Sequence, residues 1–143
     1  SDGKEVKSDW SDINKYEITK NGSRIAVIAL GTFYQLGEKA AKLIEEKTGT
    51  APTLISPHYI TGIDKDMLEG LKKNHDVVIT LEDGILEGGF GEKIARFYGN
   101  SDVKTLCFGL EKKFYDRYDV NELMHTAHLT PEQIAEDTIA LLK

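Results

Sequence analysis

Val77-Val78-Ile79-Thr80-Leu81-Glu82-Asp83-Gly84-Ile85-Leu86-Glu87-Gly88-Gly89-Phe90-Gly91-Glu92-Lys93-Ile94 is the stretch that decides the fold. An apolar run of strand length reaches two carboxylates, Glu82 and Asp83, and a glycine cluster follows. Phe90, Ile94, Phe97 and Tyr98 then recur at i, i+4, i+7 and i+8, the spacing of one helix face. Strand, acidic turn, glycine loop and helix is the layout with which α/β proteins build ligand sites at strand ends. Asp76 to Leu81 therefore predicts a buried strand and Phe90 to Tyr98 an amphipathic helix.

Outward from this stretch the same alternation repeats. Arg24 to Leu30 is apolar on both faces, as a central parallel strand is. Leu36, Ala40, Leu43 and Ile44 predict a helix, with Gly49 just past its end. Pro52 to Ser56 is a short strand stopped by Pro57, and Asp64 can cap a helix carrying Met67, Leu68 and Leu71. Val103 to Phe108 is the last strand. Asp119 to Glu122 and Thr130-Pro131-Glu132-Gln133 both resemble capping boxes, and Ala135, Ile139 and Leu142 make the final buried stripe. Before all of these, Tyr16-Glu17-Ile18-Thr19 alternates and meets Asn21-Gly22, the strongest short hairpin signal. It predicts an antiparallel edge strand turning directly into the parallel sheet. The expected fold is α/β: a three-layer α/β/α sandwich joined by right-handed crossovers.

Length and composition bound the function. A chain of 143 residues fits one domain, and a net charge of −6 argues against a generally basic nucleic-acid surface. No apolar run has the roughly 20 residues a membrane span needs. The single cysteine, Cys107, lies in an apolar run and reads as a buried structural thiol. Residues 1–15 are rich in Ser, Asp and Lys and start without methionine, which reads as a linker or tag remnant, leaving a domain over 16–143.

The strand ends are where chemistry is expected. They gather Thr32, His58, Glu82 and Asp83, and a carboxylate beside an imidazole suits acid–base work. Against this, no nucleophile accompanies them, and capping or loop binding accounts for the same residues. Gly88, Gly89, Phe90 and Gly91 offer backbone amides to an anion at a helix N-terminus. Yet the G-x-G-x-x-G and G-x-x-x-x-G-K-[ST] spacings are absent, and Glu82, Asp83, Glu87 and Glu92 would repel phosphate. Close packing is the better reading of these glycines. His125 and His128 make a weak metal pair without a third ligand. Phe33, Tyr34, Phe108, Phe114 and Tyr115 put aromatics at the strand ends, and any exposed ones would mark an interface.

The order of these motifs resembles the C-terminal domain of the transketolase family of thiamin-diphosphate enzymes. It is most similar to the 1-deoxy-D-xylulose-5-phosphate synthase branch. The matching residues are Ile25 to Thr32, Ile63-Asp64 opening a helix, Val78 to Asp83 with Gly88-Gly89-Phe90-Gly91, and Leu106 to Leu110 followed by Phe114. The chain departs from the branch at His58 to Gly62, at Gly84 where asparagine is usual, and at Leu110 where proline is usual. The resemblance implies a mixed five-stranded sheet with one antiparallel strand. It implies a cytoplasmic parent enzyme whose thiamin diphosphate and Mg are bound by other, preceding domains, so that no catalytic, cofactor or metal residue is expected here. The implied partners are those domains and a second subunit in a homodimer, with no nucleic acid and no membrane. A transketolase-like paralogue, or a stand-alone α/β module binding a small anion at the strand ends, is the alternative.

Overall fold

The aliphatic runs form the strands of one sheet, and the stretches with helical spacing cover its two faces. The computed structural model describes residues 15–58, 62–85, 89–110 and 119–142. The strands are β1 (Tyr16–Lys20), β2 (Arg24–Ala29), β3 (Thr53–Pro57), β4 (His75–Ile85) and β5 (Lys104–Leu110). The helices are α1 (Tyr34–Thr48), α2 (Lys65–Leu71), α3 (Phe90–Tyr98), α4 (Val120–Thr126) and α5 (Pro131–Ala140), and a single 3-10 turn spans Gly31–Phe33. The expected linker at 1–15 lies outside the described residues apart from Lys15.

The sheet has five strands in the order β1-β3-β2-β4-β5. β2, β3, β4 and β5 run parallel, and β1 is the one antiparallel strand, as the resemblance implied. Alternation along the strands sorts the core into two layers. Ile25, Val27, Ala29, Ile79, Leu81 and Phe108 face α1 and α5. Ala26, Ile28, Val78 and Tyr16 face α2 and α3 through Leu68, Leu71, Phe90, Ile94 and Tyr98. Ile25–Ala29 of β2 and Val77–Ile79 of β4 are buried on both faces, which is why their sequence shows apolar runs without polar alternation.

Three local expectations need correction. First, Asn21-Gly22 does not form a hairpin. β1 pairs with β3, from Tyr16 opposite Pro57 to Lys20 opposite Leu54. Neither Asn21 nor Gly22 has the positive φ that a two-residue hairpin turn demands. Gly22 serves closeness instead: a Cβ there would stand 2.1 Å from the Ala51 carbonyl oxygen and 2.4 Å from the Pro52 carbonyl carbon. The chain has to pass against that backbone, at the start of β3, to get from β1 to β2.

Second, the acidic pair is not a turn. β4 continues through Glu82, Asp83 and Gly84 to Ile85, which pairs with Leu110. The register shifts between Leu81, opposite Phe108, and Ile85, so β4 gains residues relative to β5 in this interval. Third, the buried face of α5 is Ile134, Ala135 and Thr138, whereas Ile139 and Leu142 are partly covered. The stripe lies about one position around the helix from the expected one.

Caps behave as the sequence indicates. The Asp64 carboxylate accepts from the Met67 amide at 3.1 Å. Asp119 accepts from the amides of Asn121 and Glu122, and Thr130 accepts from that of Gln133. Gly49, at a left-handed φ of 80°, closes α1.

Candidate functional site

The sheet reverses its winding between β2 and β4. From β2 the chain crosses to β3 on one side, and from β3 it returns past β2 to β4 on the other. Doubly wound sheets bind ligands at the carboxyl end of such a switch point. Here the β2–β4 ladder runs one residue past β2. The Leu30 amide donates to the Leu81 carbonyl at 2.9 Å, one step beyond β2.

Alternation sets what lies beside it. Val78, Thr80 and Glu82 occupy every second position and face α3, so the polar pair continues an apolar face. Glu82 is 4% exposed. Its carboxylate accepts the Phe90 amide at 3.2 Å and the Gly91 amide at 2.7 Å. These are orphan amides of the first turn of α3, whose N-cap residue, Gly89, supplies no side-chain bond. The negative charge also sits at the positive end of the helix dipole. The candidate anion cradle thus holds an anion, and it is the chain's own Glu82.

Gly91 is required by this arrangement. A Cβ on it would lie 2.4 Å from Thr80 Oγ1, 3.0 Å from Cys107 Sγ and 3.0 Å from Glu82 Oε2. Cys107 pairs with Thr80 across β4 and β5, so both point up to α3. Burial pushes the Cys107 thiol up; the Thr80 hydroxyl opposes this, and Glu82 and Glu92 add to it. Cys107 is half-buried and is held as a neutral thiol, a structural role. The Thr80 hydroxyl is 1% exposed and has no partner in hydrogen-bond geometry among the described residues.

A second set of contacts ties the neighbouring strand ends to α3. The Tyr16 ring tilts against Phe90 with centroids 6.0 Å apart. Its amide donates to the Asp64 carboxylate at 2.9 Å and its hydroxyl donates to the Gly62 carbonyl at 3.1 Å. Burial raises the Tyr16 phenol well above its ordinary range.

The residues expected at the strand ends do not converge on a reacting centre. His58 is exposed and bonds to Glu17 at 3.1 Å. β2 lies between the strands that carry His58 and Glu82, which sets their ends about 10 Å apart. With His58 turned to Glu17 and Glu82 turned to the α3 amides, the imidazole–carboxylate pairing has no basis there. Thr32 is exposed in the 3-10 turn after β2. Asp83 lies in β4, while Gly88 and Phe114 fall outside the described residues. Phe90 and Phe108 are buried in the domain's own core, one on each face of the sheet. His128 bonds to Asp137 at 2.8 Å and makes no set with His125. Among the described residues no three His, Cys, Asp or Glu side chains gather as metal ligands. Also among them, no helix is long and apolar enough to cross a membrane.

Sequence reasoning missed the Thr80–Cys107 contact, the Tyr16 anchor and the buried His75. The available signal for the first was alternation: Thr80 and Glu82 continue the face begun by Val78.

The family profile described as Transketolase, C-terminal domain matches residues 14–134. The chain belongs to this family. Its relatives include a 1-deoxy-D-xylulose-5-phosphate synthase of Shouchella clausii, 30% identical over 98% of this chain and 23% of the relative. A synthase of the same name from Phocaeicola vulgatus is 33% identical over 86% of this chain and 20% of its own length. The chain therefore spans about a fifth of the length of the curated relatives it matches. A solved split-gene transketolase, described as an inactive β4 tetramer, superposes with a TM-score of 0.75 at 20% identity. It covers 90% of this chain and 42% of that one. Transketolase of Pichia stipitis gives 0.57 at 15% identity, covering 92% of this chain and 18% of its own. Both confirm the transketolase C-terminal fold.

Proposed function

We propose that this transketolase C-terminal domain serves a thiamin-diphosphate-dependent 1-deoxy-D-xylulose-5-phosphate synthase. The parent reaction joins pyruvate to glyceraldehyde 3-phosphate with release of carbon dioxide. The observation that carries the reading is the similarity to synthases across nearly the whole chain, against only a fifth of theirs. The domain's part is accessory: it supports the cofactor-bearing domains of the same chain and the contact with a second subunit of a cytoplasmic homodimer. Thiamin diphosphate and Mg belong to those other domains. The filled amides at α3 support this reading over a module that binds a small anion.

Isothermal calorimetry of the chain with thiamin diphosphate and Mg tests the assignment. No binding heat is expected. Tight, Mg-dependent binding would place the cofactor in this domain and overturn the accessory role.

A further inference from the structure

We propose that Asn21 is a site of self-modification, where the side chain cyclises onto the Gly22 amide and water opens the ring to aspartyl and isoaspartyl products. This goes beyond the accessory role and does not depend on the identity of the parent enzyme.

Three observations carry it. Asn21 is exposed and lies between β1 and β2, outside both strands. The Gly22 amide, which is the nucleophile, donates to no acceptor among the described residues, whereas the next amide, of Ser23, donates to the Ala51 carbonyl at 3.0 Å. The third observation is that the other described asparagines are guarded. Asn21 alone is followed by glycine, so no side chain shields the attacking nitrogen. The amide after Asn100 donates to the Tyr98 carbonyl at 2.9 Å, and the amide after Asn121 to the Asp119 carboxylate at 3.3 Å. Asn74 is followed by His75, which is only 6% exposed.

The step balances with water as the one co-reactant. The Gly22 nitrogen bonds to Asn21 Cγ, the Cγ–Nδ2 bond breaks, and ammonia leaves with the amide proton. Water then cleaves the imide at the side-chain carbonyl, giving aspartate, or at the main-chain carbonyl, giving isoaspartate. Either product adds a negative charge. The isoaspartyl product also lengthens the main chain by a carbon. A Cβ on Gly22 would already stand 2.1 Å from the Ala51 carbonyl oxygen, so this crossing has no slack for a further atom. Isoaspartate therefore loosens the bond from Ser23 to Ala51 and, with it, the approach of β1 to β3.

Peptide mapping by mass spectrometry of the folded chain, held for weeks at mildly alkaline pH, tests the proposal. The mass gain of an amide-to-acid exchange is expected at Asn21 at least about tenfold faster than at Asn100 or Asn121, the factor that one hydrogen bond given up by the attacking amide amounts to. An isoaspartyl-specific methyltransferase should label the peptide that carries residue 21, and the same peptide of aged Asn21→Ser should stay unlabelled. In the isoaspartyl protein the Ser23 amide should exchange with solvent at least about tenfold faster than in fresh protein, while Val78 keeps its rate. Equal conversion at the three asparagines would overturn the proposal. Conversion at Asn21 in the urea-unfolded chain but not in the folded one would also overturn it, because the contact with Ala51 and Pro52 would then be holding Gly22 back. An unchanged Ser23 exchange rate in the isoaspartyl protein would overturn the loosening of β1.

Discussion

Gly22 and Gly91 stand at opposite edges of the parallel sheet; the first reads in sequence as a hairpin turn and the second as a packing glycine, and the structure puts both in close contact. At the amino edge, Gly22 lets the chain cross the backbone of Ala51 and Pro52. At the carboxyl edge, Gly91 lets α3 settle onto the side chains of Thr80, Cys107 and Glu82. At the amino edge the buried polar group is an imidazole: His75 spans Thr53, at 2.7 Å, and the Leu71 carbonyl, at 3.1 Å. The carboxyl edge is built around a buried carboxylate. The contrast teaches that a glycine facing fixed backbone and a glycine facing side chains differ in how far the surroundings can yield.

The largest expected effect is at the amino edge. Gly22→Ala pushes a methyl group into peptide backbone that cannot rotate away, so it should cost more than about 3 kcal/mol in urea unfolding. A cost below about 1 kcal/mol would erase the distinction between the edges.

A smaller effect concerns acid. Burial lowers the His75 pKa, more than the Leu71 carbonyl and Asp76 raise it. The folded protein therefore binds fewer protons at this site than the unfolded chain. Its contribution is complete above the unfolded value of about 6.5 and is lost as pH falls from there toward the lowered folded value. The slope from one such group is at most about 1.4 kcal/mol per pH unit. Stability measured from pH 7.5 to 5 should fall in wild type and flatten in His75→Gln. Parallel curves would mean that the imidazole does not distinguish the amino edge.

Much of the fold was legible because its determinants are local. Ile25 to Ala29 and Val77 to Ile79 are apolar without polar interruption, and Asp64 and Thr130 announce their helices by capping chemistry. The strand order was less so. Asn21-Gly22 is a strong turn signal, but what Gly22 meets is residues 51 and 52, a contact between distant parts of the chain that no window around Gly22 contains. The candidate site was legible in its parts and not in their direction. The glycines and acids around Glu82 were visible, and the acids argued against phosphate. That one acid turns inward to bind the helix depends on the β4 register shift and on α3 lying above it, which are tertiary facts.

The central claim, that the glycine of the strand–carboxylate–glycine segment is there for packing, is tested most directly by a double-mutant cycle of Gly91→Ala with Thr80→Ala. Gly91→Ala alone should cost about 1–3 kcal/mol, because its methyl group meets the Thr80 hydroxyl at 2.4 Å. Removing that hydroxyl first should recover about 1 kcal/mol or more of the cost. Costs that simply add, within about 0.5 kcal/mol, would contradict the claim.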